Sequence, residues 1–158
     1  MPGIDDAVAR ALGAVPSGLF VATAGTGAAA TGFLASWVQQ AGFDPPCITL
    51  AVRRGRPVAE RIRAGGAFCV SVLGEDDRAL LAHFAPGFEA GEAAFDGIAI
   101  GLSSAGVPYV RDAAAWLGCR LLGEVAWSDH VLFAGEVVEG DRTGHRPMVH
   151  VRRTGANY

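Results

Sequence analysis

Hydrophobic and polar residues follow two periods along this chain, and these periods predict strands interspersed with short helices. Apolar positions at helical spacing, or a proline and a glycine at the two ends of a segment, predict helices over residues 4–15, 57–65 and 76–85. Alternating or wholly apolar runs predict strands over residues 17–25, 28–38, 47–52, 67–73, 113–128, 130–141 and 147–152. Residues 86–105 have weak periodicity, which predicts a loop with at most one short strand.

Short turns join two pairs of these strands. The glycine-rich residues 25–27 predict a hairpin between the first two strands, and Ser128 and Asp129 separate the two long ones. Many antiparallel strands with two or three short helices between them predict a mainly β protein, and a small closed or half-open barrel would remove exposed strand edges. No repeat of about 20 to 50 residues is present, which argues against solenoids and propellers. Because 158 residues fit one domain, we expect residues 1–158 to form a single domain.

An uncharged stretch from Ala11 to Phe43 is long enough to raise the question of a membrane span. Six glycines and Pro16 interrupt it, and its residues alternate as strands do, so we expect no membrane span. Asp5 and Asp6 stand where a secretory signal would carry positive charge, and no short apolar segment with a cleavage site follows them. A cytoplasmic location is therefore expected.

The composition changes this picture little. Hydrophobic residues make up 51% of the chain and the net charge is −3, as in packed globular proteins that bind no nucleic acid. The three cysteines form no CxxC pair and lie among apolar neighbours, which is typical of buried reduced thiols and agrees with the cytoplasm: Cys47, Cys69 and Cys119.

Several catalytic classes lack their motifs. All thirteen basic residues are arginines, so lysine Schiff-base chemistry is excluded and an anion must be held by arginine or backbone. There is no GxSxG, and Ser128, Asp129 and His130 are too close in sequence to form a triad. No GxGxxG or P-loop sequence is present. The histidines show neither HxxxH nor HExxH, so no zinc site is expected: His83, His130, His145 and His150.

Basic residues concentrate in "VRRGRPVAERIR", which places five arginines between positions 53 and 63. The cluster follows a predicted strand and spans a predicted helix start at Pro57. Arginine side chains beside a helix N-terminus make a good phosphate receptor. A solvated basic turn is the alternative interpretation.

A series of segments resembles one known family. The segments are "TGFLASWVQQAGFDPPCITLAV", "AFCVSVL", "LLAHFA", "GVPYVRDAAAWLGCRL", "SDHVLFAGEV" and "VHVRRTGANY". Their content and order, from about residue 15 to residue 158, resemble the flavin reductase-like family of FMN-binding split barrels. The similarity extends to the C-terminal flavin reductase domain of diflavin flavoproteins and to flavoredoxin-type proteins. It implies a split β-barrel of antiparallel Greek-key strands with short helices.

The resemblance also implies which residues bind flavin. Backbone N–H groups and the Ser36 hydroxyl would face the isoalloxazine ring, and arginines after the strand at 47–52 would hold the phosphate. His83 would approach the same phosphate, and Tyr158 would lie near the flavin pocket or a dimer contact. The full expected set is Phe33, Leu34, Ala35, Ser36, Trp37, Pro46, Val52, Arg53, Arg54, Arg56, His83 and Tyr158.

The family's Gly-Asp-His motif, which is associated with the reduced nicotinamide, corresponds to Ser128, Asp129 and His130. Asp129 and His130 are therefore the expected catalytic residues. Ser128 departs from the family glycine and adds a side chain where a pyridine nucleotide would pack. The alternatives are a turn-capping Asp129, a structural His130 and an ordinary strand serine at position 36.

The function implied by the resemblance is hydride transfer from NAD(P)H to FMN, with FAD also possible. The reduced flavin would serve a flavin-dependent monooxygenase or an electron-acceptor protein, and the protein would be a homodimer. Two alternatives remain open. One is an FMN-binding electron-transfer module that is reduced by a protein partner, and the other is a barrel that binds haem or deazaflavin. No metal is expected at the site.

Overall fold

The computed structural model describes residues 3–158, in which three short helices and eleven strands are present. The helices are α1 (Asp6–Gly13), α2 (Pro57–Gly65) and α3 (Arg78–Phe84). The strands are β1 (Ser17–Gly18), β2 (Phe20–Ala24), β3 (Thr31–Ala35), β4 (Val38–Phe43), β5 (Pro46–Arg53), β6 (Ala67–Val72), β7 (Ile100–Leu102), β8 (Pro108–Val110), β9 (Ala115–Trp127), β10 (His130–Arg142) and β11 (Val149–His150).

Seven strands form one antiparallel sheet in the order β3-β2-β6-β9-β10-β5-β4. Its two edge strands, β3 and β4, are consecutive in the chain and are joined only by Ser36 and Trp37. So short a link brings the two edges of the sheet together, and the Ala51 N–H donates to the Trp37 carbonyl (3.0 Å) beside this corner. The sheet is therefore a half-closed barrel, as predicted. Two small pairs, β1 with β11 and β7 with β8, lie outside it.

Several predicted boundaries differ from the structure. The strand expected over residues 28–38 is shorter, because residues 27–29 form a 3₁₀ turn and β3 ends at Ala35, where the chain turns the barrel corner; β4, over Val38–Phe43, was not predicted beyond its first residue. β7 is the one short strand expected within residues 86–105, whereas β8 and the separate β1 were not predicted. The helix predicted over residues 57–65 and the turn at Ser128 and Asp129 are confirmed.

Apolar side chains of the sheet and of α2 fill the barrel interior. Phe68, Phe133, Leu50 and Ile62 are fully buried in one cluster, with α2 covering one end. A side chain at Gly135 would meet the Phe68 ring at 2.5 Å, so the glycine makes room for this phenylalanine. Burial raises the pKa of the Cys69 thiol to about 11 and that of Cys119 to about 12, so both remain protonated at neutral pH.

Helix α1 and the segment after β11 pack against one another outside the barrel. The Arg152 N–H donates to the Gly13 carbonyl (3.1 Å) and the Gly155 N–H donates to the Ala9 carbonyl (2.6 Å). This contact carries residues 152–158 across the barrel corner. None of the helices in residues 3–158 is both long and apolar enough to cross a bilayer.

Candidate functional site

The barrel corner between β3 and β4 presents one buried polar atom and one partly exposed aromatic ring. Ser36 is only 8% exposed, and within residues 3–158 no hydrogen-bond partner reaches its Oγ. Trp37 is 37% exposed. Both line a cavity of about 260 Å³ whose walls include Ala51, Leu132 and Arg152. A buried hydroxyl without a partner is unfavourable, so this cavity is suited to a polar ligand atom.

The hairpin turn between β9 and β10 carries the two expected catalytic residues to this corner. Ser128 has φ of 51°, a left-handed conformation that is uncommon for a residue with a side chain. His130 then pairs in register with Arg53 of β5, and the Arg54 N–H donates to the Asp129 carbonyl (2.9 Å). This pairing places the His130 ring 4.7 Å from the Trp37 ring, measured between centroids.

Three side chains form a hydrogen-bonded chain at the corner. His130 Nδ1 lies 2.7 Å from the Asp129 carboxylate, and His130 Nε2 lies 2.7 Å from the Tyr158 hydroxyl. Because a carboxylate only accepts, Nδ1 donates to Asp129, and the neutral ring accepts the Tyr158 proton at Nε2. The bond from His130 lowers the pKa of the Asp129 carboxyl below its ordinary value. Asp129 thus selects which nitrogen of His130 carries the proton.

Tyr158 and Arg152 reach the corner from the segment after β11. The Tyr158 ring lies 5.4 Å from the Trp37 ring, and the Arg152 guanidinium lies 5.3 Å from the same ring. Tyr158 is 67% exposed as a residue, and the partial burial of its hydroxyl raises its pKa. The charge of nearby Arg56 opposes this increase. Sequence reasoning did not select Arg152, because only the fold brings it to Trp37.

A second, more polar cavity of about 530 Å³ adjoins the corner at the end of β5. Its walls include Arg53, Arg54 and Arg56, and across the cavity Glu89 and Glu92. Within the described part of the chain, none of these arginines forms a salt bridge. Helix α2 begins at this wall without a side-chain cap; Pro57 has no N–H and the Ala59 N–H donates to the Arg56 carbonyl (3.1 Å), so within residues 3–158 the Val58 N–H is the donor of this first turn that is left for an anion. The cavity is therefore suited to a phosphate group.

The structure brings some expected residues together and separates others. Ser36, Trp37, Arg53, Asp129, His130 and Tyr158 share the corner, and Ala35 is buried directly before it. Phe33 lies beneath the Arg56 guanidinium, 5.2 Å from it. The expected residues outside the corner and the arginine cavity lie deeper in the core or farther away: Leu34, Pro46, Val52 and His83.

The Val52 side chain is fully buried in the core, and Leu34 packs in the cluster around Phe84, so both side chains contribute to the core. His83 Nε2 is within 2.8 Å of the Ala94 carbonyl, and its ring packs against Phe88, which separates it from the arginine cavity that Phe88 lines. Pro46 starts β5 seven residues before Arg53, which is roughly 23 Å along the strand.

Residues 12–157 match the flavin reductase like domain. The chain belongs to the flavin reductase-like family. The expected family is therefore confirmed. The diflavin flavoprotein A 1 of Synechocystis sp. is 32% identical over 161 residues, which is 100% of this chain but 28% of that relative. The chain thus spans little more than a quarter of that flavoprotein's length.

Solved structures of the family confirm the split barrel. The NADH:FAD oxidoreductase SgcE6 of Streptomyces globisporus superposes with a TM-score of 0.83 at 28% identity, covering 90% of this chain and 86% of that one. A second structure of SgcE6 is in complex with NAD and FAD fragments. The styrene monooxygenase flavin reductase of Pseudomonas putida S12 has a TM-score of 0.77 at 25% identity and covers 90% of each chain.

Proposed function

We propose that this protein is a flavin-binding oxidoreductase that transfers hydride from NAD(P)H to FMN or FAD. The observation that carries the proposal is the buried, unpartnered Oγ of Ser36, a residue that lines the cavity beside Trp37, together with nearby arginines that form no salt bridge within residues 3–158. A polar ring edge and a phosphate on one ligand would satisfy both features at once. Flavin nucleotides have this combination.

The residues present fit such a cofactor. Ser36 and the backbone of the barrel corner would hold the ring edge, Trp37 would lie beside the ring, and Arg53, Arg54 and the start of α2 would hold the phosphate. The cofactor held there would supply the redox chemistry, namely hydride acceptance from a reduced nicotinamide and onward electron transfer. Trp37 and Leu132 give the cavity an apolar wall against which the ring would pack.

His130 and Asp129 act by holding a proton at a defined atom. The Asp129 carboxylate keeps a proton on Nδ1 of His130, so that Nε2 faces the corner as an acceptor. In that orientation Nε2 can position a substrate amide or relay a proton to or from the site. Arg152, held over Trp37, adds positive charge that favours an anionic, reduced cofactor.

The acceptor and the assembly state belong to the same proposal. A relative that is the flavin reductase of a styrene monooxygenase supports delivery of reduced flavin to a flavin-dependent monooxygenase. We propose that residues 1–158 form one flavin-binding domain of a cytoplasmic protein. We also propose a homodimer, since exposed apolar side chains lie on the C-terminal half of β9: Leu122, Val125 and Trp127.

One observation favours a second function. Ser128 adopts φ of 51° at the position where the family motif has glycine, and its side chain stands beside Asp129 at the turn. A side chain there would hinder a nicotinamide without affecting flavin binding. The second candidate is therefore an FMN-binding electron-transfer module reduced by a protein partner, in keeping with the longer diflavin relative.

Anaerobic spectroscopy tests both candidates. The purified protein, supplied with FMN or FAD, is expected to bind flavin. The absorbance of the bound flavin at about 450 nm should then disappear within seconds of adding NADH or NADPH. Bound flavin that stays oxidised would support the electron-transfer module instead. A protein that binds neither flavin would overturn both.

A matched pair of histidine variants sharpens this test. His130→Ala should keep flavin binding but slow flavin reduction by about 10²-fold, because it removes the group that positions or relays a proton. His145→Ala, an exposed histidine outside the corner, should reduce flavin at the original rate. Equal rates for all three proteins would remove His130 from the mechanism.

A further inference from the structure

The segment that carries Tyr158 to His130 has two differently held parts. Its first part is fixed to α1 by the bonds from Arg152 to Gly13 and from Gly155 to Ala9. A side chain at Gly155 would meet the Leu12 Cβ at 2.2 Å, so this residue is pinned against the helix. Gly155 is thus a fixed point.

Residues 156–158 are held differently. Their backbone bonds are to the segment itself, since the Ala156 N–H donates to Thr154 Oγ1 (3.1 Å) and the Asn157 carbonyl accepts from Arg152 (3.4 Å). All three residues are exposed. Within the described chain, their hydrogen bond to the barrel comes only from the Tyr158 hydroxyl, which meets His130 Nε2, and the Tyr158 ring adds its contact with Trp37.

Tyr158 occupies the open side of His130. The His130 side chain is only 14% exposed although it begins a strand directly after an exposed turn. Its Nδ1 is taken by Asp129 and its Nε2 by Tyr158, so neither nitrogen is open to a substrate in this arrangement. A dihydronicotinamide could contact His130 only after Tyr158 leaves.

We propose that residues 156–158 form a latch, which closes over His130 through Tyr158 and swings about Gly155 to admit the reduced nicotinamide. The inference rests on the proposed function, since it names how that substrate reaches the corner. One hydrogen bond and one tilted aromatic contact hold the latch, so it is closed most of the time and opens readily. Tyr158 is a gating residue and takes no part in hydride transfer.

Chemical labelling of His130 tests the latch without flavin or NADH. Diethyl pyrocarbonate modifies accessible unprotonated imidazoles, and peptide mass spectrometry assigns the rate to each histidine. Tyr158→Ala should label His130 about five-fold faster, the factor that one ordinary hydrogen bond contributes to an equilibrium. Tyr158→Phe, which keeps the ring, should fall between Tyr158→Ala and the original protein.

Two controls are built into the chain. The second tyrosine, Tyr109, stacks on Trp116 away from the corner, so Tyr109→Phe should leave the His130 rate unchanged. His145 should label equally in every variant, since it is exposed and does not contact the latch. Equal His130 rates in the original protein and Tyr158→Ala would overturn the latch.

Steady-state kinetics with NADH give the sign of the effect. The apparent dissociation constant for NADH is the intrinsic constant divided by the fraction of protein whose latch is open. Tyr158→Ala should therefore lower KM for NADH several-fold without lowering kcat. A raised KM would show that Tyr158 binds the substrate, and the latch would be overturned. Faster His130 labelling in Tyr158→Ala, in a protein that does not oxidise NADH, would support the closed latch and overturn the proposed function. Unchanged labelling in a protein that does oxidise NADH would support the proposed function and overturn the latch.

Discussion

Two regions of this molecule each combine a tryptophan, a tyrosine and a buried serine, yet they differ in how completely the chain satisfies them. Away from the corner, Tyr109 of β8 stacks on Trp116 of β9 with centroids 3.8 Å apart and planes 1° apart. A side chain at Gly101 would meet the Tyr109 ring at 2.3 Å, so this glycine gives the ring its place. At the barrel corner, Trp37 and Tyr158 are 5.4 Å apart and tilted by 40°.

The serines show the same contrast. Ser71 pairs in register with Trp116, and its Oγ accepts a bond from the Val110 N–H (2.9 Å). Ser36 beside Trp37 is also buried, but its Oγ has no partner within residues 3–158. The first region is completed by its own chain, whereas the second keeps unused hydrogen-bonding and charge capacity. Unused capacity of that kind is what distinguishes a binding site from a structural cluster built of the same residues.

Replacing each of the two tryptophans should distinguish the structural cluster from the binding site most clearly. Trp116→Ala should lower the free energy of unfolding by about 3 kcal/mol, because a stacked and half-buried ring leaves a cavity. Trp37→Ala should cost less than about 1 kcal/mol and weaken flavin binding instead. Urea unfolding followed by circular dichroism measures the first effect, and flavin titration measures the second. The opposite ranking in urea would contradict the assignment of the two regions.

The arginine cavity predicts a ligand-dependent effect of similar size. Arg53→Ala combined with Arg54→Ala should weaken FMN about 10- to 100-fold and riboflavin little, because only FMN has the phosphate that these charges would pair with. Equilibrium titration with both ligands gives the ratio. Arg78→Ala, which removes an exposed arginine at the start of α3, should change neither affinity. Equal losses for FMN and riboflavin would place the phosphate elsewhere.

The paired serines give a smaller, stability-based test. Ser71→Ala should destabilise the protein by about 1–3 kcal/mol, because it leaves the buried Val110 N–H unpaired. Ser36→Ala in the flavin-free protein should be neutral or stabilising within about 1 kcal/mol, because it removes a hydroxyl that has no bond to lose. Thermal or urea unfolding compares the two. A loss at Ser36 as large as that at Ser71 would show that its hydroxyl is already satisfied.

The smallest expected effect is in the titration of Asp129. Its carboxyl should titrate below 3.8, because the hydrogen bond from His130 favours the ionised form. The bond's contribution to stability is therefore complete above the unfolded value and is lost as the pH falls through the lowered midpoint. Carboxyl NMR shifts measure that midpoint. In His130→Ala the midpoint should return toward 3.8, and an unchanged midpoint there would assign the shift to another group.

Local pattern in the sequence was sufficient for most of the scaffold. The helix at 57–65 has its proline and glycine at the two ends, and the long strands are largely apolar runs on either side of the turn at Ser128 and Asp129, so both were predicted correctly. The corner at Ser36 and Trp37 was missed, because a strand that bends from one sheet edge to the other keeps the alternation of a straight one. β8 is only three residues long, too short for any period to appear.

The site was accessible to the sequence only in part. Arginines after β5 and the residues at Ser128–His130 could be selected from their types and from the family resemblance. The contacts that join them could not, because they depend on long-range register, such as His130 with Arg53 and Tyr158 with His130. Arg152 has no local signal at all, since its place over Trp37 follows from the packing of its segment on α1.

The hydrogen bond from the Arg54 N–H to the Asp129 carbonyl continues the β5–β10 ladder by one step beyond its last residue pair. It joins the arginine loop, residues 53–56, to the turn before His130, so the two loops are held together by a backbone hydrogen bond. If an anion at this loop changes the affinity of a ligand at His130, that ligand changes the affinity of the anion by the same factor. The two halves of the corner are thus joined by this bond and by the register pairing of His130 with Arg53.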